Sequence, residues 1–147
     1  MTEPDPHLLG PGLLPTPFTA DEIRDATGSG KTIHLLLEGP DGPLGEHVNR
    51  FHDTDADGAT LDRWAAEDPS AVVSSRVTWA ELQGHAAFDA DTTSVSTVSL
   101  ETPLGALTCR KYETGDGVFW FSIADPGMPV QYESDGIRTT VLSMQQD

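Results

Sequence analysis

The pair Asp-Gly occurs four times in this chain, at 41–42, 57–58, 116–117 and 135–136, and each pair lies between runs prone to β-structure. Asp-Gly flanked by such runs is among the strongest short-range hairpin signals, because both residues tolerate the positive φ that tight hairpin turns demand. The runs themselves span 31–38, 46–53, 58–64, 71–77, 92–101, 104–113, 117–124, 129–134 and 136–144. Most of the connections between them are only a few residues long, too short for the crossovers that parallel strands need. A largely antiparallel meander of eight or nine strands follows.

Two segments break the β pattern with the same device. Thr19-Ala20-Asp21-Glu22 and Thr78-Trp79-Ala80-Glu81 are capping boxes, in which the threonine side chain accepts from the glutamate amide and the glutamate reaches back. Phe18 with Ile23, and Val77 with Leu82, supply the matching hydrophobic staples. The first helix is expected to stop at Gly28. The second is expected to stop at Gly84, with Ala86 to Phe88 as an optional extension. The fold class is therefore α+β: a curved, half-barrel-like antiparallel sheet with two short helices. Residues 1–17 hold five prolines and two glycines without periodicity and are expected to form an extended arm. Residues 18–147 are expected to form a single β-rich domain, a size that buries about two-thirds of its unfolded surface.

Alternation orients some strands and not others. Ile33, Leu35 and Leu37 should share one face, whereas the Ser/Thr/Val run 93–99 suits an exposed strand. Val118-Phe119-Trp120-Phe121-Ser122-Ile123 is apolar on both faces, so it must be covered on both sides. Beside a capped helix that carries Trp79, this strand suggests a pocket for a hydrophobic small molecule. The expected lining is Trp79, Leu82, Phe88, Val118, Trp120 and Ile137, with Phe119 and Phe121 equally eligible on the strand.

Charge narrows the partners. Twenty-four acidic residues face 8 basic ones, for a formal net charge of −16, and Lys31 and Lys111 are the only lysines. Such a surface repels phosphate backbones and anionic lipid, so neither nucleic acid nor membrane is an expected partner. One cysteine, Cys109, allows no internal disulfide and fits a reducing compartment. The acidic, proline-rich start lacks the basic and apolar stretches of a secretory signal, which points to the cytoplasm.

Several stretches imitate chemical motifs. Gly28-Ser29-Gly30-Lys31-Thr32 resembles a phosphate-binding loop, but Asp25 stands where the first glycine belongs, and the segment follows a helix and opens a strand. Asp53-Thr54-Asp55-Ala56-Asp57-Gly58 copies the first half of a calcium loop, with Trp64 where the bidentate glutamate should stand. Asp53, Asp55 and Asp57 are the one candidate metal site, with Asp62 a further donor. His47 and His52 fall on opposite faces of one strand, and no spacing of His or Cys suits zinc. Cys109 lies mid-strand, as a small buried hydrophobe would. No catalytic constellation and no cofactor are expected.

A Thr102-Pro103-Leu104-Gly105 turn leads into a strand with Cys109 and Tyr112, followed by Phe119-Trp120-Phe121 and Asp125-Pro126-Gly127-Met128-Pro129-Val130. This succession resembles small bacterial β-domains whose sheet is similar to the lipoprotein-carrier half-barrel, the LolA-like fold. The resemblance covers about a quarter of the chain and implies a curved sheet with a helical lid and room for an apolar ligand. Two functional expectations result: a non-enzymatic binding or accessory protein, or an acidic protein-interaction module acting as a monomer or homodimer.

Overall fold

The computed structural model describes residues 5–147. The elements run α1 (Ala20–Thr27), β1 (Lys31–Gly39), β2 (Gly42–His52), β3 (Gly58–Ala65), β4 (Val73–Thr78), α2 (Trp79–Gly84), β5 (Ser94–Thr102), β6 (Gly105–Glu113), β7 (Gly117–Ser122), β8 (Gln131–Ser134) and β9 (Ile137–Gln146). All nine strands join one open antiparallel sheet in the order β4-β3-β2-β1-β9-β8-β7-β6-β5. Two meanders thus meet at a central β1–β9 pair. β2 begins several residues earlier than the sequence reading, because Gly45, Pro43 and Gly42 continue the ladder opposite β1 past a bulge at Leu44.

All four Asp-Gly pairs fall at hairpin connections, for differing reasons. Asp135 and Gly136 both hold positive φ, 55° and 77°, between the paired residues Ser134 and Ile137, as a type I′ turn requires. Gly58 is instead a close approach: a Cβ there would lie 2.0 Å from the Val77 carbonyl oxygen on β4.

Both helix caps form, with one difference. At α1, the Thr19 hydroxyl accepts from the Glu22 amide and Glu22 accepts from the Thr19 amide, completing the box. At α2, the Thr78 hydroxyl accepts from the Glu81 amide, but Glu81 returns to the threonine hydroxyl instead of its backbone. α2 and the chain after it carry the path from β4, at one edge, to β5, at the other. That connection crosses one face of the sheet, and Phe88 lies on it, stacked 4.9 Å from Tyr112 and tilted against Phe119 at 5.2 Å between ring centroids.

Cross-strand partners point to the same side of a sheet, so the pairing registers assign faces. The helix-covered face carries Ile33, Leu35, Phe51, Leu61, Tyr112, Phe119, Phe121 and Val141. In β5 and β6 burial passes to the other side: Val98, Leu100, Leu107 and Cys109 are covered, while Thr97, Ser99, Thr108 and Arg110 are exposed. β7 is where the change occurs. Phe121 is buried under the helix-covered side and Trp120 on the opposite side, with 3% and 8% exposure. The two-faced sequence of β7 is the local signature of a sheet that changes its inner face.

The arm is docked. Gln83, buried on α2, donates its amide to Pro6 O and Thr16 Oγ1 and accepts from the Ala20 amide. Leu14 N donates to Phe88 O and Ala90 N to Gly12 O, so the arm runs along the crossing connection. Leu8 and Leu9 are exposed, while Leu14 packs against the core. Among the described residues, no helix is long and apolar enough to cross a membrane.

Candidate functional site

An apolar pocket lies on the helix-covered face. Its walls are Leu82 and His85 from α2 and the residue after it, Phe119 and Phe121 from β7, Tyr132 from β8, and Gly127, Met128 and Pro129 from the β7–β8 loop. The cavity measures about 120 Å³ and is half-open to solvent. Leu82 is placed by the helix that Thr78 caps. Phe119 and Phe121 are placed by alternation along β7, and Tyr132 pairs with Phe119 across the ladder, their rings stacked 6.1 Å apart. Phe88 closes the aromatic cluster beside them, edge-on to Phe121 at 6.4 Å.

The residues expected to line a pocket fall in four places. Leu82 lines it, and Phe88 packs against its Phe119 and Phe121 walls. Trp79 is buried in the core, where its indole N–H donates to Asp55 O at 2.9 Å and ties α2 to the β2–β3 loop. Trp120 points to the opposite face, with the Lys111 ammonium 5.5 Å from its ring centroid. Val118 and Ile137 line a separate open groove among three hairpin tips, in the company of Glu38, Asp116, Glu133, Asp135 and Arg138. On β7 the pocket therefore uses the odd-numbered pair, Phe119 and Phe121. Met128, Pro129, Tyr132 and His85 carry no sequence pattern that marks them as pocket walls. The only hint of the loop's role was its Pro-Gly-Met-Pro composition, which forces an irregular path.

The Asp53–Asp57 loop is occupied by the protein's own donors. Asp55 Oδ1 accepts from the Asp57 and Gly58 amides at 2.8 and 2.9 Å, and its other oxygen pairs with the Arg76 guanidinium. Arg76 also donates to Asp53 O at 2.7 Å. The Asp57 and Gly58 amides, followed by Arg76, hold the Asp55 carboxyl below its usual value. Among the described residues, no three His, Cys, Asp or Glu side chains gather as metal ligands would.

Nearby, the Ser74 hydroxyl donates to Asp62 Oδ1 at 2.6 Å, and His52 Nε2 lies 2.7 Å from Asp62 Oδ2. Serine, histidine and aspartate are thus in contact, but the carboxylate sits in the middle. In a nucleophilic triad the histidine must touch the hydroxyl to take its proton. The Ser74 hydrogen bond, with help from His52, holds the Asp62 carboxyl below its usual value, and the set is a strand-surface ladder. Cys109 is fully buried, and burial pushes its thiol up, away from the reactive thiolate.

Gly28 to Gly30 link α1 to β1, so the phosphate-loop imitation is a helix stop followed by a strand. His34, opposite Val48, and His47, opposite Leu35, lie on different faces of the sheet. No protein-family model matches this chain, and no curated protein matches it in sequence.

Proposed function

We propose that this protein is a non-enzymatic binding protein that holds the apolar part of a small molecule in the pocket beneath α2. One observation carries the reading: Leu82, Phe119, Phe121, Met128, Pro129 and Tyr132 converge on a half-open cavity of about 120 Å³. Apolar cavities of about 150 Å³ stay dry and admit a benzene ring. A pocket somewhat smaller, and open on one side, suits one ring or a short branched chain whose remainder projects past His85. Aromatic walls pre-set by β pairing need little reorganisation, which favours binding over collapse. The resemblance of stretches within 101–130 to small β-domains with a half-barrel-like sheet supports the same reading, since it implies a curved sheet under a helical lid with room for an apolar ligand.

The test is titration with toluene, followed by methyl NMR and thermal unfolding. Binding is expected to move the Leu82 and Met128 methyl signals and leave the exposed Val73 and Val95 signals in place. At tenfold excess over the dissociation constant it should add about 1.4 kcal/mol to stability. Unmoved Leu82 and Met128 signals at toluene saturation would overturn the proposal. Native mass spectrometry of gently purified protein then asks which ligand the cell supplies.

A second reading, an acidic interaction module, draws on the groove of about 600 Å³ between the hairpin tips, where four carboxylates accompany one arginine. It requires salt-sensitive capture of a basic peptide, lost when Asp116, Glu133 and Asp135 are changed together to the neutral amides.

A further inference from the structure

The two edges of the sheet differ in how they are protected. β4, at one edge, is six residues long and carries Arg76 near its centre. Short edge strands and edge charges discourage pairing with another chain. β5, at the other edge, is nine residues long and pairs with β6 at nine consecutive positions without a bulge. It holds no lysine, arginine, proline or glycine. The direction of its outer backbone groups follows from β6. Thr108 O accepts from the Ile123 amide at 3.0 Å, so even-numbered residues of β6 bond towards β7 and odd-numbered ones towards β5. Cys109 therefore bonds to Val98, and by alternation Val95, Thr97, Ser99 and Glu101 direct their N–H and C=O groups outward. All four residues are exposed, and among the described residues no backbone hydrogen bond reaches them from outside the strand ladder.

We propose that β5 is a self-recognition edge, on which a second copy of this chain adds its own β5 in antiparallel orientation. Symmetry selects the register. Copies related by a two-fold axis normal to the sheet must set one residue opposite its own counterpart. With Val98 on the axis, Thr97 faces Ser99 of the second copy and Val95 faces its Glu101, so all four outward residues are paired. Moving the axis to Thr97 or to Ser99 leaves one of the four without a partner on β5. The Val98 pair then meets on the face where β5 covers its apolar side chains. On the other face the Glu101 stem of the second copy lies over Val95, which is 41% exposed in the single chain.

Local charge fits a second copy. Arg110 is exposed on β6 beside Thr97, and among the described residues the arginines in ion pairs are Arg24, Arg50, Arg76 and Arg138. In the Val98 register Arg110 lies two strands from Glu101 of the second copy, about 12 Å between Cα atoms, a span that their side chains close. Symmetry supplies that ion pair twice, and Glu101 stands opposite Val95 with no like charge facing it. The opposing term is the formal charge of −16 on each copy, a long-range repulsion that salt screens. One strand pair is also a small contact, below about 1,200 Å² in total, the size of transient associations. The dimer is therefore weak, reversible and strengthened by salt.

The experiment is sedimentation velocity of the intact protein from about 10 μM to about 1 mM, in low and in high sodium chloride. A monomer–dimer equilibrium is expected, with the larger dimer fraction at high salt. Thr97→Pro should abolish the dimer and keep the parent's circular dichroism, because that N–H points away from β6. Ser99→Lys, which sets a charge on the edge, should do the same and serves if the proline disturbs the strand. Arg110→Glu should weaken association by about fivefold, and adding Glu101→Arg should restore it. A monomer at about 1 mM in high salt would overturn the proposal, as would a dimer that neither edge variant weakens. So would an oligoarginine peptide that shifts the Val95 to Glu101 amide signals, and is released by salt, while the chain stays monomeric. That result would assign the edge to a basic partner.

Discussion

The Asp53–Asp57 loop and the Lys31 cleft are both charged features that a sequence motif brings to notice, yet the fold treats them in opposite ways. In the loop, two backbone amides and Arg76 already satisfy Asp55, and the Trp79 indole and Arg76 take up neighbouring carbonyls. In the cleft, formed with Ala26, Asp125 and Met144, the Lys31 stem is largely covered, and the nearby charge that acts on its ammonium is that of Asp125. The motif that looks most like a ligand site is complete without a ligand. The one that imitates a phosphate loop carries a largely covered lysine whose charge Asp125 partly offsets. Burial and partners tell the two apart, and resemblance to a pattern does not.

The comparison can be broken from the loop side first. Trp79→Ala removes a buried aromatic and the tie to Asp55 together, and should cost about 3–5 kcal/mol in denaturant unfolding. Loss of less than about 1 kcal/mol would mean that the loop stands without its anchor. On the cleft side the expected sign is reversed. Lys31→Met should stabilise the protein by up to about 1 kcal/mol at neutral pH, because a partly desolvated ammonium is replaced by an apolar chain of similar length. The folded-state value of Lys31 lies below the ordinary 10.5, so the unfolded chain binds the proton more tightly. The penalty is therefore full below the folded value and fades as pH rises towards 10.5, where mutant and parent should converge.

Two smaller effects sharpen the loop's description. Added calcium should leave the melting temperature of the parent protein unchanged, since Asp55 is already occupied; a calcium-dependent rise would reopen the loop as a metal site. Ser74→Ala should cost only a few tenths of a kcal/mol, because the Asp62 pair is partly solvated. With Asp62 held below the ordinary 3.8, that difference is present above 3.8 and disappears as pH falls through the folded value.

Much of this architecture is legible locally. Asp-Gly turns, capping threonines and the alternation at Ile33, Leu35 and Leu37 each act within a few residues, and the structure keeps them all. What the sequence left open depends on residues brought from far away. Whether Phe119 or Trp120 faces the helix depends on the register with β6 and β8, which the two-faced β7 cannot specify by itself. Lys31 belongs to the glycine-rich stretch that imitates a phosphate loop, and its cover comes from Ala26, Met144 and the 124–126 segment. Gln83 gave no sign of its role, because a lone glutamine on a short helix is ordinary until Pro6, Thr16 and Ala20 converge on it. The apolar pocket was anticipated by place, beneath the second helix, and only in part by residue, since its third wall is an irregular loop.

The central β1–β9 pair has a consequence for how the chain acquires its shape. Each meander can form from neighbours in sequence, and local hairpins close within about 1–10 μs. Their union cannot, because Lys31 must find Gln146 and Leu37 must find Thr139 across almost the whole chain. Long-range pairing of this kind is the slow part of β-sheet folding, and until it occurs both β1 and β9 present an unpaired edge. The last strand works as a keystone. A nascent chain emerging from the ribosome would hold two half-sheets in waiting, and only the arrival of residues 137–146 would join them.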